Sequence, residues 1–175
     1  SNNYVINVTA TDDGAGPLAV TQTITISVTN INDAPTITSS STASVAENQT
    51  SAIDVNHDDA DTDAITYTLS GGADVALFDI VDSTGVVTFK LAPNFEALGS
   101  AANSNNYVIN VTATDDGAGP LAVTQTITIS VTDANEAPTI TSSSTASVAE
   151  NQTSAIDVNH DDVDTDAITY TLSGG

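Results

Sequence analysis

The 175-residue sequence has a formal net charge of −22, one basic residue (Lys90) and no cysteine. A chain this acidic repels nucleic acid and anionic membrane surfaces. The lack of thiols excludes disulfides, thiolate metal sites and cysteine nucleophiles. No apolar run approaches the roughly 20 residues that a membrane-spanning helix needs. A general role of acidic residues in solubility would explain the bulk charge, but not where the charges lie.

The chain is an internal repeat. Residues 1–72 align without gaps with residues 104–175, at an offset of 103 residues. The two copies differ only at Asn30/Asp133, Ile31/Ala134, Asp33/Glu136 and Ala60/Val163. A unit of 103 residues is an ordinary size for one domain and far too long for a solenoid repeat. The sequence therefore predicts similar domains in tandem.

Two short polar segments, each ending in Ala-Pro, divide the chain. Proline ends ladder pairing and extends the residue before it, so these segments are predicted hinges. The predicted order is the last strands of a preceding repeat (1–29), a hinge (30–34), a complete repeat (35–132), a hinge (133–137) and the first strands of a following repeat (138–175). Because the partial repeats together lack counterparts of residues 73–103, we expect a stretch of a longer array. A swapped assembly of copies is the alternative.

Period-two alternation predicts seven strands and no helix in the complete repeat. In chain order, their inward residues are Ile37 and Val45; Ile53 and Val55; Ile65, Tyr67 and Leu69; Phe78 and Ile80; Val87 and Phe89; Tyr107, Ile109, Val111 and Ala113; and Val123, Gln125, Ile127, Ile129 and Val131. The expected fold class is all-β, a seven-stranded Greek-key β-sandwich of immunoglobulin-like shape. Tyr4 and Tyr170 are copies of Tyr107 and Tyr67 and are also expected in cores, so the sequence predicts no exposed aromatic or apolar patch.

Acidic residues gather in the loops. Loops of such a sandwich alternate between its two ends, so Glu47, Glu96 and hinge 133–136 are expected at one end. Asp59, Asp61 and Asp115 are expected at the other end, so each hinge faces carboxylates from both neighbours. Ca²⁺ takes six to eight hard oxygen ligands, whereas Mg²⁺ prefers fewer protein ligands and more water. The pattern favours calcium.

Five short motifs resemble the cadherin repeat family, in the form found in giant bacterial surface and RTX-type adhesins. They occur in order across one 103-residue unit and are Ala46-Glu47-Asn48, Asp59-Ala60-Asp61 before Ile65-Thr66-Tyr67, Asn94-Phe95-Glu96, Ala113-Thr114-Asp115, and Asp133-Ala134-Asn135-Glu136-Ala137-Pro138. There are three departures: Asn94 stands where the family usually has Asp, Asn30 replaces the Asp seen at position 133, and the hinge is one residue shorter than the vertebrate pattern.

The resemblance implies calcium ligands at both hinges. At the second hinge they are Glu47, Glu96, Asp133, Asn135 and Glu136, the backbone carbonyl of Ala134, and Asp162 and Asp164 of the following repeat. At the first hinge they are Asn32, Asp33, Asp59, Asp61 and Asp115. The departures lower charge or reach, so we expect two or three ions per hinge.

Catalysis is not expected. Asp59-Ala60-Asp61-Thr62-Asp63 resembles the start of an EF-hand loop, but the sixth position is Ala64 instead of Gly and the twelfth is Ser70 instead of Glu. Paired carboxylates can serve a glycosidase, but these lie in a repeated loop without aromatic subsites. The histidine at position 57 is expected to be solvated.

The resemblance implies a calcium-stiffened structural extender of a long secreted or cell-surface protein, and the near-identical copies favour a bacterial source. Its expected partners are neighbouring repeats of the same chain and other copies of itself, with no nucleic acid and no membrane insertion. A homotypic or carbohydrate-binding adhesion module and a subunit of a self-assembling filament are the alternatives.

Overall fold

The computed structural model describes residues 2–174. Strands make up its regular structure, together with a 3₁₀ turn at Val75–Leu77. In chain order the strands are β1 (Asn2–Thr11), β2 (Ala19–Val28), β3 (Thr36–Ile37), β4 (Thr42–Ala46), β5 (Ser51–Asp54), β6 (His57–Asp58), β7 (Ile65–Gly71), β8 (Phe78–Ile80), β9 (Val86–Phe89), β10 (Asn106–Asp115), β11 (Ala122–Thr132), β12 (Thr139–Ile140) and β13 (His160–Asp161).

Strands β3 to β11 form a sandwich, which confirms the predicted all-β class. One sheet has the order β4-β11-β10-β7, with β4 parallel to β11 and the other pairs antiparallel. The facing sheet has the order β5-β9-β8, and β3 pairs with β6. The first two predicted strands are each broken into two segments (β3 and β4, β5 and β6), so the seven predicted strands appear as nine segments.

The core lies between the two sheets and follows the predicted alternation. The buried side chains are Ala52, Val55, Phe78, Val87 and Phe89 on one side and Ile65, Tyr67, Tyr107, Ile109, Val111, Ala113, Ile127, Ile129 and Val131 on the other. The rings of Phe78 and Phe89 lie 4.4 Å apart, and Phe89 meets Tyr107 edge-on at 5.2 Å. Both phenylalanines come from residues 73–103, the segment that the sequence contains only once.

The hairpin β1–β2 has the same sequence and register as β10–β11 but lacks a covering sheet. Tyr4 pairs with Ile26 as Tyr107 pairs with Ile129. Tyr107 is 3% exposed, whereas Tyr4 is 57% exposed. The expectation that Tyr4 lies in a core is therefore wrong here, because the chain supplies no copy of the phenylalanine-bearing segment to cover it.

The following repeat (residues 138–175, called the third copy below) forms only its first strand pair within the described residues. β12 pairs with β13 in the register that joins β3 and β6. Within the described residues 141–174, however, the counterparts of β4, β5 and β7 are not strands, and Tyr170 is 49% exposed. Their partners in the complete copy are β9, β10 and β11, which have no counterparts after residue 175 in this sequence. Of the strands predicted across 138–175, the structure forms the pair β12–β13.

Candidate metal-binding hinges

The buried carboxylate of Glu47 anchors the second hinge. β4 and β11 run parallel and end side by side, so Glu47 emerges next to the start of the hinge. Its backbone N–H donates to the Thr132 carbonyl at 3.0 Å. Its side chain, in a residue only 3% exposed, accepts the backbone N–H groups of Ala134 at 3.0 Å and Phe95 at 2.8 Å. Glu47 therefore ties the hinge to the loop that carries Glu96.

Carboxylates from four segments of the chain meet at this hinge. Side-chain oxygens of Glu47, Glu96 and Asp133 lie within 4.8 Å of one another. The same holds for Glu96, Glu136 and Asp164. The backbone N–H of Glu136 donates to Oδ2 of Asp164 at 2.6 Å, which holds the loop of the third copy against the hinge. The structure thus brings five of the predicted ligands together in two groups that both contain Glu96.

The other residues predicted for this hinge have different surroundings. Asp162 groups with Asp164 and Asp166, again with oxygens within 4.8 Å. Ala134 contributes its N–H to Glu47, and its side chain is half-buried. Asn135 is exposed and makes no hydrogen bond within residues 2–174. Its counterpart in the first hinge reaches a loop between β10 and β11 for which the third copy has no equivalent sequence.

Desolvation and the crowding of like charges raise the pKa values of two carboxyl groups at the second hinge. Desolvation raises the pKa of Asp133, and the neighbouring Asp164 and Glu47 raise it further. Desolvation also raises the pKa of Glu136, with Asp164 and Glu47 adding to the effect and the Asn48 amide opposing it. The single basic side chain lies elsewhere, since the Lys90 ammonium bonds to the Ala76 carbonyl at 2.9 Å. Repulsion at this hinge therefore has no protein cation to offset it.

At the first hinge, side-chain amides as well as carboxylates join the hinge to the complete repeat. Asn32 Nδ2 donates to Asp115 Oδ1 at 3.0 Å, and the Asp33 backbone N–H donates to Asp61 Oδ2 at 2.7 Å. The Asp61 N–H in turn donates to Asp59 Oδ1 at 2.9 Å. All five residues predicted for this hinge belong to this network.

The electrostatics of the first hinge are mixed. Hydrogen bonds from the Asp33 backbone and the Asn30 amide lower the pKa of Asp61, outweighing desolvation. Desolvation alone would raise the pKa of Asp115, but hydrogen bonds from Asn32 and from the following loop lower it overall. Desolvation and the surrounding aspartates raise the pKa of Asp63. Unlike Asp61 and Asp115, Asp63 has no hydrogen bond among the causes that set its pKa.

Several hinge residues were missed by the sequence reasoning. Asp63 groups with Asp59 and Asp61 within 4.8 Å, and the alternation Asp-Ala-Asp-Thr-Asp was the available signal. Asp166 is its counterpart in the third copy. Asn48 donates through its amide to Glu136, and its backbone has the left-handed φ of 62°. Only the fold brings Asn48 and Glu136 together, because they are 88 positions apart.

The donor set fits a hard cation. Within residues 2–174, each hinge contains buried side-chain oxygens with no hydrogen-bond partner: Asn32 Oδ1 and Asp59 Oδ2 at the first, Glu136 Oε2 and Asp164 Oδ1 at the second. Burying an acceptor without a donor is costly, and native proteins rarely leave one unpaired. Groups made entirely of carboxylate and amide oxygens match the ligand preference of Ca²⁺.

An apolar groove lies beside the 3₁₀ turn and the loop after β9. It has a volume of about 500 Å³ and is lined mainly by Leu77, Phe89, Leu91, Pro93 and Tyr107. Leu91 is 83% exposed. The expectation that the chain offers no exposed apolar surface is therefore wrong. The signal was the run Leu91-Ala92-Pro93, which lies outside the period-two pattern.

Protocadherins are among the known proteins that this chain resembles. Dachsous of Drosophila melanogaster is 29% identical over 163 residues, or 86% of this chain. Protocadherin Fat 1 of Homo sapiens is 31% identical over 144 residues, and Protocadherin Fat 4 of Mus musculus is 34% identical over 146 residues, each covering 78% of the chain. The chain spans only 3–4% of the length of these relatives. No protein-family model matches it.

Solved structures agree with the sequence relatives. Protocadherin Gamma B2 extracellular cadherin domains 3–6 match with a TM-score of 0.63 at 26% identity, covering 79% of this chain and 34% of that one. The protocadherin gammaB7 EC3–6 cis-dimer structure matches with a TM-score of 0.62 at 25% identity, covering 79% of this chain and 35% of that one. The chain contains a cadherin-like domain. Among its described residues, no helix has the length and apolarity needed to cross a bilayer.

Proposed function

We propose that this chain is an extender segment of a long extracellular adhesion protein, and that Ca²⁺ bound at its two hinges holds consecutive cadherin-like domains in line. The observation that carries the proposal is the second hinge. There, oxygens of Glu47, Glu96 and Asp133 lie within 4.8 Å of one another, and so do those of Glu96, Glu136 and Asp164, with no basic residue in either group.

The residues of the second hinge have two different roles in such a junction, positioning the backbone and supplying ligand oxygens. Glu47 fixes the hinge backbone through Ala134 and positions the loop of Glu96 through Phe95. Glu136 and Asp164 bring in carboxylates from the hinge and the following copy. A bound divalent cation supplies the positive charge that these oxygens lack. Without it, repulsion favours an open hinge; with it, carboxylates of both domains are held together.

The expected energies are modest but sufficient. Extracellular calcium modules bind with dissociation constants of about 10⁻⁴–10⁻³ M. At a free calcium concentration of about 100 times the dissociation constant, each site stabilises the ordered state by about 2.7 kcal/mol. A Gly/Ser linker of the same length would leave the domains free to swivel.

The domain boundaries and the source belong to the same proposal. The complete cadherin-like unit is residues 35–132, flanked by hinges 30–34 and 133–137 and by parts of adjoining units. Near-identical tandem copies, and motifs resembling those of RTX-type adhesins, support a bacterial surface protein. Residues 104–175 differ from residues 1–72 at only four positions. This similarity is greater than separate adhesive domains of one protein require.

The test compares melting temperature and solution scattering in calcium and in chelator. We expect calcium to raise the melting temperature and to give a longer, narrower particle. The variants Glu96→Gln and Asp164→Asn should weaken both responses, whereas the matched control Asp82→Asn, an exposed aspartate outside the carboxylate groups of the hinges, should keep them. A melting temperature and a scattering profile that are the same in calcium and in chelator would refute the proposal.

The apolar groove favours one second function, homotypic adhesion. An exposed leucine beside a cavity of about 500 Å³ is a feature of protein-binding surfaces. The variant Leu91→Asp should abolish any concentration-dependent dimer in sedimentation without changing the calcium response. A parent chain that stays monomeric at all concentrations would exclude this function.

A further inference from the structure

The two hinges form a matched pair within one chain. The first hinge and the loop of residues 57–63 share one backbone contact with the second hinge and the loop of residues 160–166. In both, a hinge backbone N–H donates to one oxygen of an aspartate in the loop: Asp33 to Asp61 Oδ2 at 2.7 Å, and Glu136 to Asp164 Oδ2 at 2.6 Å. The backbone part of the junction is therefore the same.

The second oxygen of that aspartate is treated differently in the two hinges. Asp61 Oδ1 accepts the side-chain amide of Asn30 at 2.7 Å. Its counterpart, Asp164 Oδ1, is buried and has no hydrogen-bond partner within residues 2–174. The residue in the place of Asn30 is Asp133, which presents a carboxylate to Asp164 where the first hinge presents a donor.

The difference follows from the chemistry of the two side chains. A side-chain amide has two N–H donors, whereas an ionised carboxylate only accepts. Hydrogen bonds to a charged acceptor are stronger than neutral ones, so the Asn30 amide stabilises the ionised Asp61. In agreement, the pKa of Asp61 is lowered by Asp33 and Asn30, whereas the pKa of Asp133 is raised by desolvation and by Asp164.

We propose that the Asn30 amide stabilises the ionised Asp61 in the first hinge, whereas Asp164 in the second hinge needs a bound cation for the same purpose. The first hinge is therefore ordered before calcium binds, and the second hinge closes only with calcium. This inference rests on the proposed function and extends it. The chain then alternates a junction that stays closed at low calcium with one that responds to it. Flexibility in the absence of calcium is confined to the second hinge.

The surroundings of the two hinges also differ, so the comparison needs variants made within each hinge. The second hinge lies against Glu47 and Glu96, whereas the first lies against the loop after β10, through Asn32 and Asp115. Reciprocal substitutions at one position keep these surroundings fixed. Asn30→Asp gives the first hinge the residue of the second, and Asp133→Asn does the reverse. Asn30→Ala removes the donor without adding a charge.

The readout is amide hydrogen exchange by NMR at Asp33 and Glu136 in the 175-residue chain, in chelator and in calcium. These two backbone N–H groups make the equivalent bonds of the two hinges. In chelator we expect protection at Asp33 but not at Glu136. Asn30→Ala and Asn30→Asp should each lower the protection of Asp33 by about tenfold or more. Asp133→Asn should raise that of Glu136 by a similar factor.

Calcium separates this inference from the proposed function. Adding it should protect Glu136 in the parent chain and Asp33 in Asn30→Asp, but should not restore Asp33 to the same degree in Asn30→Ala. Protection of Asp33 that survives both Asn30 substitutions in chelator would overturn the inference. If calcium changes nothing at Glu136 while Asn30→Ala still exposes Asp33, the proposed function fails and the role of the amide stands. An unchanged melting temperature of the complete domain verifies that the variants fold.

Discussion

Removing Glu47 and removing Glu96 should have opposite consequences in the absence of calcium, although both belong to one carboxylate group. The Glu47 side chain accepts two backbone N–H groups, at 3.0 and 2.8 Å, in a residue that is 3% exposed. Glu96 is exposed and accepts no hydrogen bond within residues 2–174. Glu47 is thus part of the fold itself, whereas Glu96 is only available to a ligand.

The expected magnitudes follow from these contacts. Glu47→Ala leaves two partly buried N–H groups without their charged acceptor, at a cost of about 1–2 kcal/mol each, or about 2–4 kcal/mol together. For a domain of about 100 residues this lowers the melting temperature by on the order of 10–20 °C. Glu96→Ala should change stability by no more than about 0.5 kcal/mol, with relief of repulsion favouring the variant.

The assay is denaturant unfolding of both variants, first in chelator and then across a calcium titration. In chelator only Glu47→Ala should be destabilised, and in calcium both should show a weaker gain than the parent. Equal stabilities of the two variants in chelator would refute the assignment of Glu47 as an anchor. A full calcium gain in Glu96→Ala would remove that residue from the ligand set.

Three further predictions test separate parts of the structure. Gly117→Ala should loosen the first hinge and lower its amide protection, because a Cβ there would overlap hinge side chains, while the core melting temperature changes little. Tyr107→Ala should cost about 3–5 kcal/mol, whereas Tyr4→Ala, the same residue of the exposed copy, should cost less than about 1 kcal/mol by denaturant unfolding. In chelator, the backbone amides of the second hinge should become more protected as the pH falls from neutral toward 3.8 and 4.5, the ordinary pKa values of Asp and Glu. The reason is that the folded-state pKa values of Asp133 and Glu136 are raised, so their ionisation opposes closure. Amide protection that falls steadily over this range would contradict the proposed repulsion.

The pH prediction has a counterpart with the opposite sign at the first hinge. The pKa values of Asp61 and Asp115 are lowered, so their contribution is complete above 3.8 and is lost only as the pH falls through their folded-state values. Acidification should therefore affect the two hinges in sequence. Hydrogen exchange at Asp33 and Glu136 distinguishes them.

The sandwich was predictable because its strands alternate cleanly. In β10 the residues from Tyr107 to Ala113 are buried at every second position, as the sequence pattern indicates. A two-sided sandwich core imposes this period, and the pattern needs no knowledge of partners. The break in the second strand was not predictable. Ala52 is buried there instead of Ile53, since a register shift lies between Ser51 and Ile53.

The third copy shows what local sequence cannot specify. Residues 145–149 have the same sequence as β4, yet no strand forms there. A strand needs a ladder partner, and β4 takes its partner from β11. Strand propensity is therefore expressed only where the tertiary context completes the sheet.

The positions of the hinge carboxylates were largely predictable, and their hydrogen-bond partners were not. Loop alternation was enough to bring Glu47, Glu96 and Asp133 to one end, because strand order fixes which loops meet. The roles of Asn30 and Asn48 depend on individual amide geometry across long sequence separations, which periodicity does not encode.

The most direct test of calcium at the hinges is a diffraction map of crystals grown in about 10 mM calcium. The proposal predicts ions at hinge 133–137, each about 2.3–2.6 Å from oxygens drawn from Glu47, Glu96, Asp133, Glu136 and Asp164. A well-ordered map in which these carboxylates point into solvent, with no ion between them, would contradict it.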